Sequence, residues 1–158
     1  MQKTDQTFDL ILVGEVYKSS PDENLSVTIA KLGLQNSVHL LGRAPDEDIP
    51  ALNSGASAAV YVSLHEGFGL SPVEAMACAT PVIIHKAGAI QEVVADGAIL
   101  IEQLTIQSVS TAMIEIIQRS GFRDEMINKG LIRSRAFSGE TSAKAALKLY
   151  ETIYQQTY

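Results

Sequence analysis

Two glutamates eight positions apart, Glu66 and Glu74, flank a glycine turn within the stretch HEGFGLSPVEAMACATPV at residues 65–82. Gly67 and Gly69 permit backbone angles and a close ligand approach that a side chain would block. Ser71 and Pro72 read as the N-cap and first residue of a helix opened by that turn. A helix start carries unpaired N–H donors and roughly half a positive charge, so an anion such as a phosphate docks there. A carboxylate on each side of the same end could then grip neutral hydroxyls. Ser71 to Glu74 also spells a capping box, in which Glu74 bonds back to the Ser71 amide merely to finish the helix. The four residues alone leave both readings of Glu74 open. Glu66, ahead of the turn, has less structural excuse.

The elements that must hold this turn follow from apolar patterning. Phe8 to Val13 is a nearly continuous apolar run ending at Gly14, as expected of a parallel strand covered on both faces. After SSPDEN, a helix is expected from about Leu25 to Leu32, a strand from Val38 to Leu41 ending at Gly42, and a helix near Asp46 to Leu52. Ala58 to Val62 reads as the next strand. The glycine turn, a helix from Pro72 to about Cys78, a strand from Pro81 to Ile84, a short helix around Ile90 to Val94 and a strand from Ala98 to Ile101 complete the alternation. Such alternation indicates an α/β fold with an open parallel sheet, whose ligands bind beyond the carboxyl ends of the strands. From Thr105 onward the period is helical: Ile106, Val109, Met113, Ile116 and Ile117 fall on one face, and Phe122, Met126, Ile127 and Leu131 make a second stripe. A last helix is expected from about Thr141 to Tyr154.

Composition bounds the function. The chain has 158 residues, 46% of them hydrophobic, enough for one core and too few for a second full domain. A net charge of −6 leaves no electrostatic footprint for nucleic acid. Cys78, the one cysteine, excludes an internal disulfide framework, and no apolar run approaches the roughly 20 residues of a membrane span. The polar start MQKTDQT does not resemble a signal peptide, so the expected compartment is the cytoplasm.

Glu66 and Glu74, seven residues between them, resemble the E-x7-E motif of retaining glycosyltransferases with the GT-B fold, the glycogen-synthase-like group that uses nucleotide-sugar donors. The resemblance continues in family order through FDLILVGE, VHLLGRAPDEDIPALNSGASAAVYVSLHEGFG and PVIIHKAGAIQEVVADGAILIE. It covers almost the whole chain and matches the C-terminal, donor-binding half of that two-domain enzyme. It implies a Rossmann-like three-layer sandwich with a helical C-terminal segment, residues 1–158 forming one nucleotide-sugar-binding domain. It further implies that Glu66 contacts the donor sugar near the reacting centre and that Glu74 binds ribose hydroxyls. Phe68, Gly69, Leu70 and Ser71 would cradle sugar hydroxyls and diphosphate with their amides, while Gly14 and the Arg43-Ala44 backbone would lie beside the nucleoside. Nothing beyond the donor substrate is implied as cofactor, and no metal.

Two departures from the family bear on function. Its donor domain opens with a further strand and helix bearing an arginine and a lysine that clamp the diphosphate, and neither has a counterpart here. The expected sheet order 3-2-1-4-5-6 thus lacks strand 1, so that either the Phe8 strand pairs directly with the Ala58 strand or something else fills the gap. Transfer is expected to need an N-terminal acceptor-binding domain or separate subunit, with any membrane association left to the full enzyme. The alternative is a module that binds nucleotide sugars or partners without catalysis, and a GT-B-type epimerase is more remote. The second departure is local: the family's A-C-G-T-P reads Ala77-Cys78-Ala79-Thr80-Pro81, and its F-S-W-E reads Phe137-Ser138-Gly139-Glu140.

The remaining chemistry-bearing residues have plainer readings. His39, His65 and His85 stand too far apart for a local metal motif. Asp46-Glu47-Asp48 imitates a D-x-D metal motif, but acidic residues also favour the start of a helix without any metal. Cys78 in an apolar segment reads as a small core residue. Arg43 and Lys86 have the bland reading of solvated loop charges, and Gly88 precedes Glu92 as in the family's turn after the fourth strand.

Overall fold

The computed structural model describes residues 7–14, 25–65 and 67–157. These fall into two compact units, Met1–Ile49 and Pro50–Tyr158. In the first, strand β1 (Leu10–Val13) pairs in parallel with β2 (Val38–Gly42), and helix α1 (Leu25–Lys31) connects them. A right-handed βαβ crossover is the ordinary way to join parallel neighbours. The expectation that β1 is covered on both faces fails: Leu10, Ile11 and Val13 are each more than two-fifths exposed, as are Leu40 and Leu41 of β2. A two-stranded ribbon with one short described helix has too little material to bury both of its faces.

The second unit holds the core. Helix α2 (Ile49–Gly55) leads to β3 (Ala59–Tyr61), α3 (Leu70–Ala77), β4 (Val82–His85), α4 (Ile90–Val94) and β5 (Ile99–Ile101). The three strands form a parallel sheet in the order β3-β4-β5. Tyr61, Ile84 and Leu100 stand in one register row and Val60, Ile83 and Ile99 in the next, so the rows face opposite sides of the sheet. The first row joins Val73 and Met76 of α3 and Ile90 and Val94 of α4 in one apolar cluster. The second joins Ala112 and Ile116 of α5 (Ile106–Gln118) and Met126 of α6 (Ser120–Ser134). Helices on both faces make this unit a three-layer α/β sandwich of Rossmann type. A final helix, α7 (Gly139–Thr157), keeps Leu147, Leu149, Tyr150 and Tyr154 more than half exposed.

Each unit thus has its own parallel sheet among the described residues, β1-β2 in the first and β3-β4-β5 in the second. Helix α2 begins three residues later than the sequence indicates, because Asp46 to Asp48 close a turn in which the Asp48 amide donates to the Pro45 carbonyl at 3.0 Å. Pro50, second in the helix, loses nothing there, since first-turn amides have no intrahelical acceptor.

The C-terminus of α3 ends in a Schellman motif: the Thr80 amide donates to the Ala75 carbonyl and the Ala79 amide to that of Met76, each at 3.1 Å. Ala79, where the family has glycine, holds φ at 59°, in the left-handed region. The buried Thr80 hydroxyl then donates to the Asn53 carbonyl of α2 at 2.7 Å. On the far side of α3, Gly130 of α6 lets Met76 approach so closely that a Cβ there would lie 3.1 Å from the Met76 Cγ. These contacts fix α3, and with it the turn at its amino end.

Candidate functional site

The turn after β3 is built differently from its sequence reading. Helix α3 starts at Leu70 with Gly69 as N-cap, rather than with Ser71 as cap and Pro72 as first residue. Gly69 adopts φ 84° and ψ 50°, a left-handed conformation that turns the chain into the helix two residues early. An added Cβ at Gly69 would overlap the side chain of Ile90, the first residue of α4, which is fully buried. Glycine is thus required there by angle and by space. No side chain caps the helix, so the capping box does not form. Ser71 and Glu74 sit inside the helix, where Ser71 can no longer serve as N-cap.

The consequence is an open helix start at the carboxyl end of β3. The backbone N–H groups of Gly69, Leu70 and Ser71 meet no acceptor among the described residues. Phe68, Leu70, Ser71 and Glu74 are exposed, whereas Gly69 is buried against Ile90. Glu74 makes no side-chain hydrogen bond or ion pair among the described residues, and one turn separates it from Leu70 on the same helix. The structure therefore brings Phe68, Gly69, Leu70, Ser71 and Glu74 to one end of one helix. Glu66 lies outside the described residues.

Residues that sequence reasoning left outside the site brace this end. The Tyr61 hydroxyl of β3 donates to the Ser71 carbonyl at 3.0 Å. His85, last in β4, bonds through Nδ1 to the Ser63 carbonyl at 3.0 Å, and because a carbonyl only accepts, Nδ1 carries the proton. The Phe68 ring meets that of Phe137 edge to face, centroids 5.8 Å apart. No local sequence signal announces these contacts, since their partners are remote in the chain. Lys86 pairs with Glu102 at 3.5 Å on the surface, in keeping with its plain reading, and Gly88 turns with φ 60° just before α4 and Glu92.

In the first unit, β1 and β2 end side by side: the Gly14 amide donates to the Gly42 carbonyl at 2.8 Å, and Arg43 follows, exposed. Gly14 and Arg43 thus share the carboxyl end of that strand pair. Asp46, Glu47 and Asp48 are exposed, and no three His, Cys, Asp or Glu side chains converge among the described residues. His39 stands in β2, 3.7 Å from Asp9. No helix of the described residues is long and apolar enough to cross a membrane.

Comparison with known proteins decides the family. Residues 1–133 match the profile of the glycosyl transferases group 1. The chain belongs to the group 1 glycosyltransferases. Among relatives, it is 29% identical over 151 residues to the O-antigen chain mannosyltransferase B of Escherichia coli, covering 96% of this chain and 39% of that protein. It is 31% identical over 153 residues to an MMP alpha-(1->4)-mannosyltransferase of Mycolicibacterium hassiacum, with 94% and 36% covered. Among solved structures, Anabaena HepE in complex with UDP and glucose superposes with a TM-score of 0.81 at 28% identity, over 91% of this chain and 40% of HepE. Sucrose-phosphate synthase from Thermosynechococcus elongatus gives a TM-score of 0.77 at 25% identity, over 94% and 39%. The chain spans about two fifths of the length of these proteins, and the two solved structures share the Rossmann-like fold described above.

Proposed function

We propose that residues 1–158 form a single donor-binding domain of a retaining, metal-independent glycosyltransferase, one that holds a nucleotide sugar while an acceptor-binding domain or subunit supplies the second substrate. The observation that carries this reading is the uncapped start of α3, with its unengaged amides at Gly69, Leu70 and Ser71, in a chain of this family. Those amides and that of Phe68 would receive the diphosphate and sugar hydroxyls. Glu74 would accept hydrogen bonds from the ribose, Glu66 would contact the donor sugar at the reacting centre, and Gly14 with the Arg43 backbone would flank the nucleoside. As the bond from sugar to diphosphate breaks, positive charge develops on the anomeric carbon and negative charge on the departing phosphate oxygen. Fixed N–H donors aimed at the departing oxygen are stronger partners for the charged product than for the ground state, which is how they accelerate such a step. No ligand beyond the donor enters this scheme, and a cytoplasmic setting goes with it.

Calorimetric titration of the 158-residue chain with UDP, GDP and UDP-glucose tests the proposal. UDP leads because HepE was captured with it. Weak binding, in the range of about 10 μM to 1 mM, is expected for at least one of them, corresponding to about −7 to −4 kcal/mol. Transfer by the chain alone is not expected, because positioning of the acceptor belongs to the other part. Absence of binding at millimolar ligand sinks the donor-site reading, and robust transfer without a partner overturns the division of labour.

A further inference from the structure

The contact between Phe68 and Phe137 is one link in a closed set that starts and ends on α4. At the carboxyl end of α4, whose last carbonyls lack intrahelical donors, Arg133 of α6 donates from Nε to the Val93 carbonyl at 2.7 Å and from Nη2 to the Glu92 carbonyl at 2.6 Å. The same guanidinium lies over the Phe137 ring, 4.9 Å from Cζ to centroid. Phe137 is half-buried against the core cluster containing Ile90, and its ring receives that of Phe68 at an interplanar angle of 86°. At the amino end of α4, Ile90 fills the space beneath Gly69. The glycine turn is therefore held at two adjacent residues, below by Ile90 and laterally through Phe68, and both supports converge on the same short helix.

We infer that Phe137 and Arg133 are positioning residues for the donor turn: by tying Phe68 to α4, they keep the amides of residues 68–71 in one arrangement before a ligand arrives. This rests on the reading of that turn as the donor site. The geometry explains the residue types. An edge-to-face pair needs an aromatic ring at both 68 and 137. A group that stacks on a ring while reaching two neighbouring carbonyls must be planar with several donors, which suits arginine and not lysine. Phe68 is about half exposed, so its anchoring adds little to the core and acts chiefly on where the turn sits.

The test uses the whole 158-residue chain with Phe137→Leu, Phe137→Tyr and Phe68→Leu. Phe68→Leu breaks the same ring pair from its exposed side and leaves the core intact, which covers the case of a poorly folded Phe137→Leu. NMR order parameters of the backbone N–H groups of residues 68–71 are expected to fall from about 0.85 to below about 0.6 in both leucine variants, with those of β4 unchanged, and to stay at the parent's values in Phe137→Tyr. UDP or GDP titration, whichever the parent binds, is expected to show about five- to tenfold weaker affinity for the leucine variants and rescue by tyrosine. A merely structural role predicts instead a lowered melting temperature, with order at the turn and affinity both unchanged at temperatures where the variant is folded. Unchanged order at the turn, or failure of Phe137→Tyr to restore it, overturns the inference. If the parent binds neither nucleotide, the donor-site reading falls and takes the role toward ligand with it, while the order parameters still decide whether the ring pair holds the turn.

Discussion

Glu74 has nothing to do inside the protein. It stands exposed one turn into α3, and its carboxylate meets no donor among the described residues. The capping box that would have employed it is lost because Gly69 starts the helix early, carrying Ser71 past the cap position. A carboxylate without a partner contributes no contact to stability, so Glu74→Gln is expected to leave the melting temperature within about 1 °C of the parent. A ligand role predicts a large effect elsewhere. Hydrogen bonds from ribose hydroxyls to a carboxylate are worth about 1.5 to 3 kcal/mol, so the variant should bind nucleotide roughly 10- to 100-fold more weakly. Calorimetric titration beside a thermal melt separates the two effects. Intact affinity in Glu74→Gln removes this residue from the site.

At the scale of elements, α3 is a helix whose amino end is left open and whose carboxyl end is closed by two Schellman bonds and by Thr80 on Asn53. The closure uses alanine where left-handed angles favour glycine. Ala79 at φ 59° carries the cost of a Cβ crowded against the backbone, about 1 to 2 kcal/mol, which Ala79→Gly relieves. Greater freedom of glycine in the unfolded chain returns part of that, about 0.4 to 1 kcal/mol. The expected net stabilisation is about 0.5 to 1 kcal/mol, read as a melting temperature higher by roughly 2 °C. A lower melting temperature would contradict this account of the turn. Elements of this kind were largely legible in the sequence: α4 matches residue for residue, and the strands β3 to β5 agree within one residue at each end, because apolar runs bounded by glycine and proline are local signals. The start of α3 was not, since Ser71-Pro72 is a good local start that a left-handed Gly69 packed on Ile90 overrides. Nor was the bracing of the site by Tyr61, His85, Phe137 and Arg133, which depends on tertiary contacts between residues up to 69 apart, as with Phe68 and Phe137. That Phe68 to Glu74 gather about one helix start was legible, because one turn and one helix carry them all.

The whole molecule is uneven in how firmly it is held. Among the described residues, every buried one lies between Gly69 and Ser134, and both apolar clusters belong to the unit Pro50–Tyr158. In Met1–Ile49 the parallel pair β1-β2 has hydrogen bonds but no buried side chain. Hydrogen bonds exchanged against water yield only about 0.5 to 1.5 kcal/mol each, whereas burying a large aliphatic side chain yields about 1.5 to 3. The first unit should consequently open far more readily than the second, as a cooperative piece of its own. Native-state hydrogen exchange on the 158-residue chain reads this directly. The Leu10 and Gly14 amides, bonded to the Ser37 and Gly42 carbonyls, are expected to exchange at least about 100-fold faster than those of Ile83 and Ile84 in β4. Their exchange should also respond weakly to low urea, because little new surface is exposed when that unit opens. Equal protection of the two sets, merging into one steep denaturant dependence, would mean that the chain unfolds as a single body despite the distribution of its core.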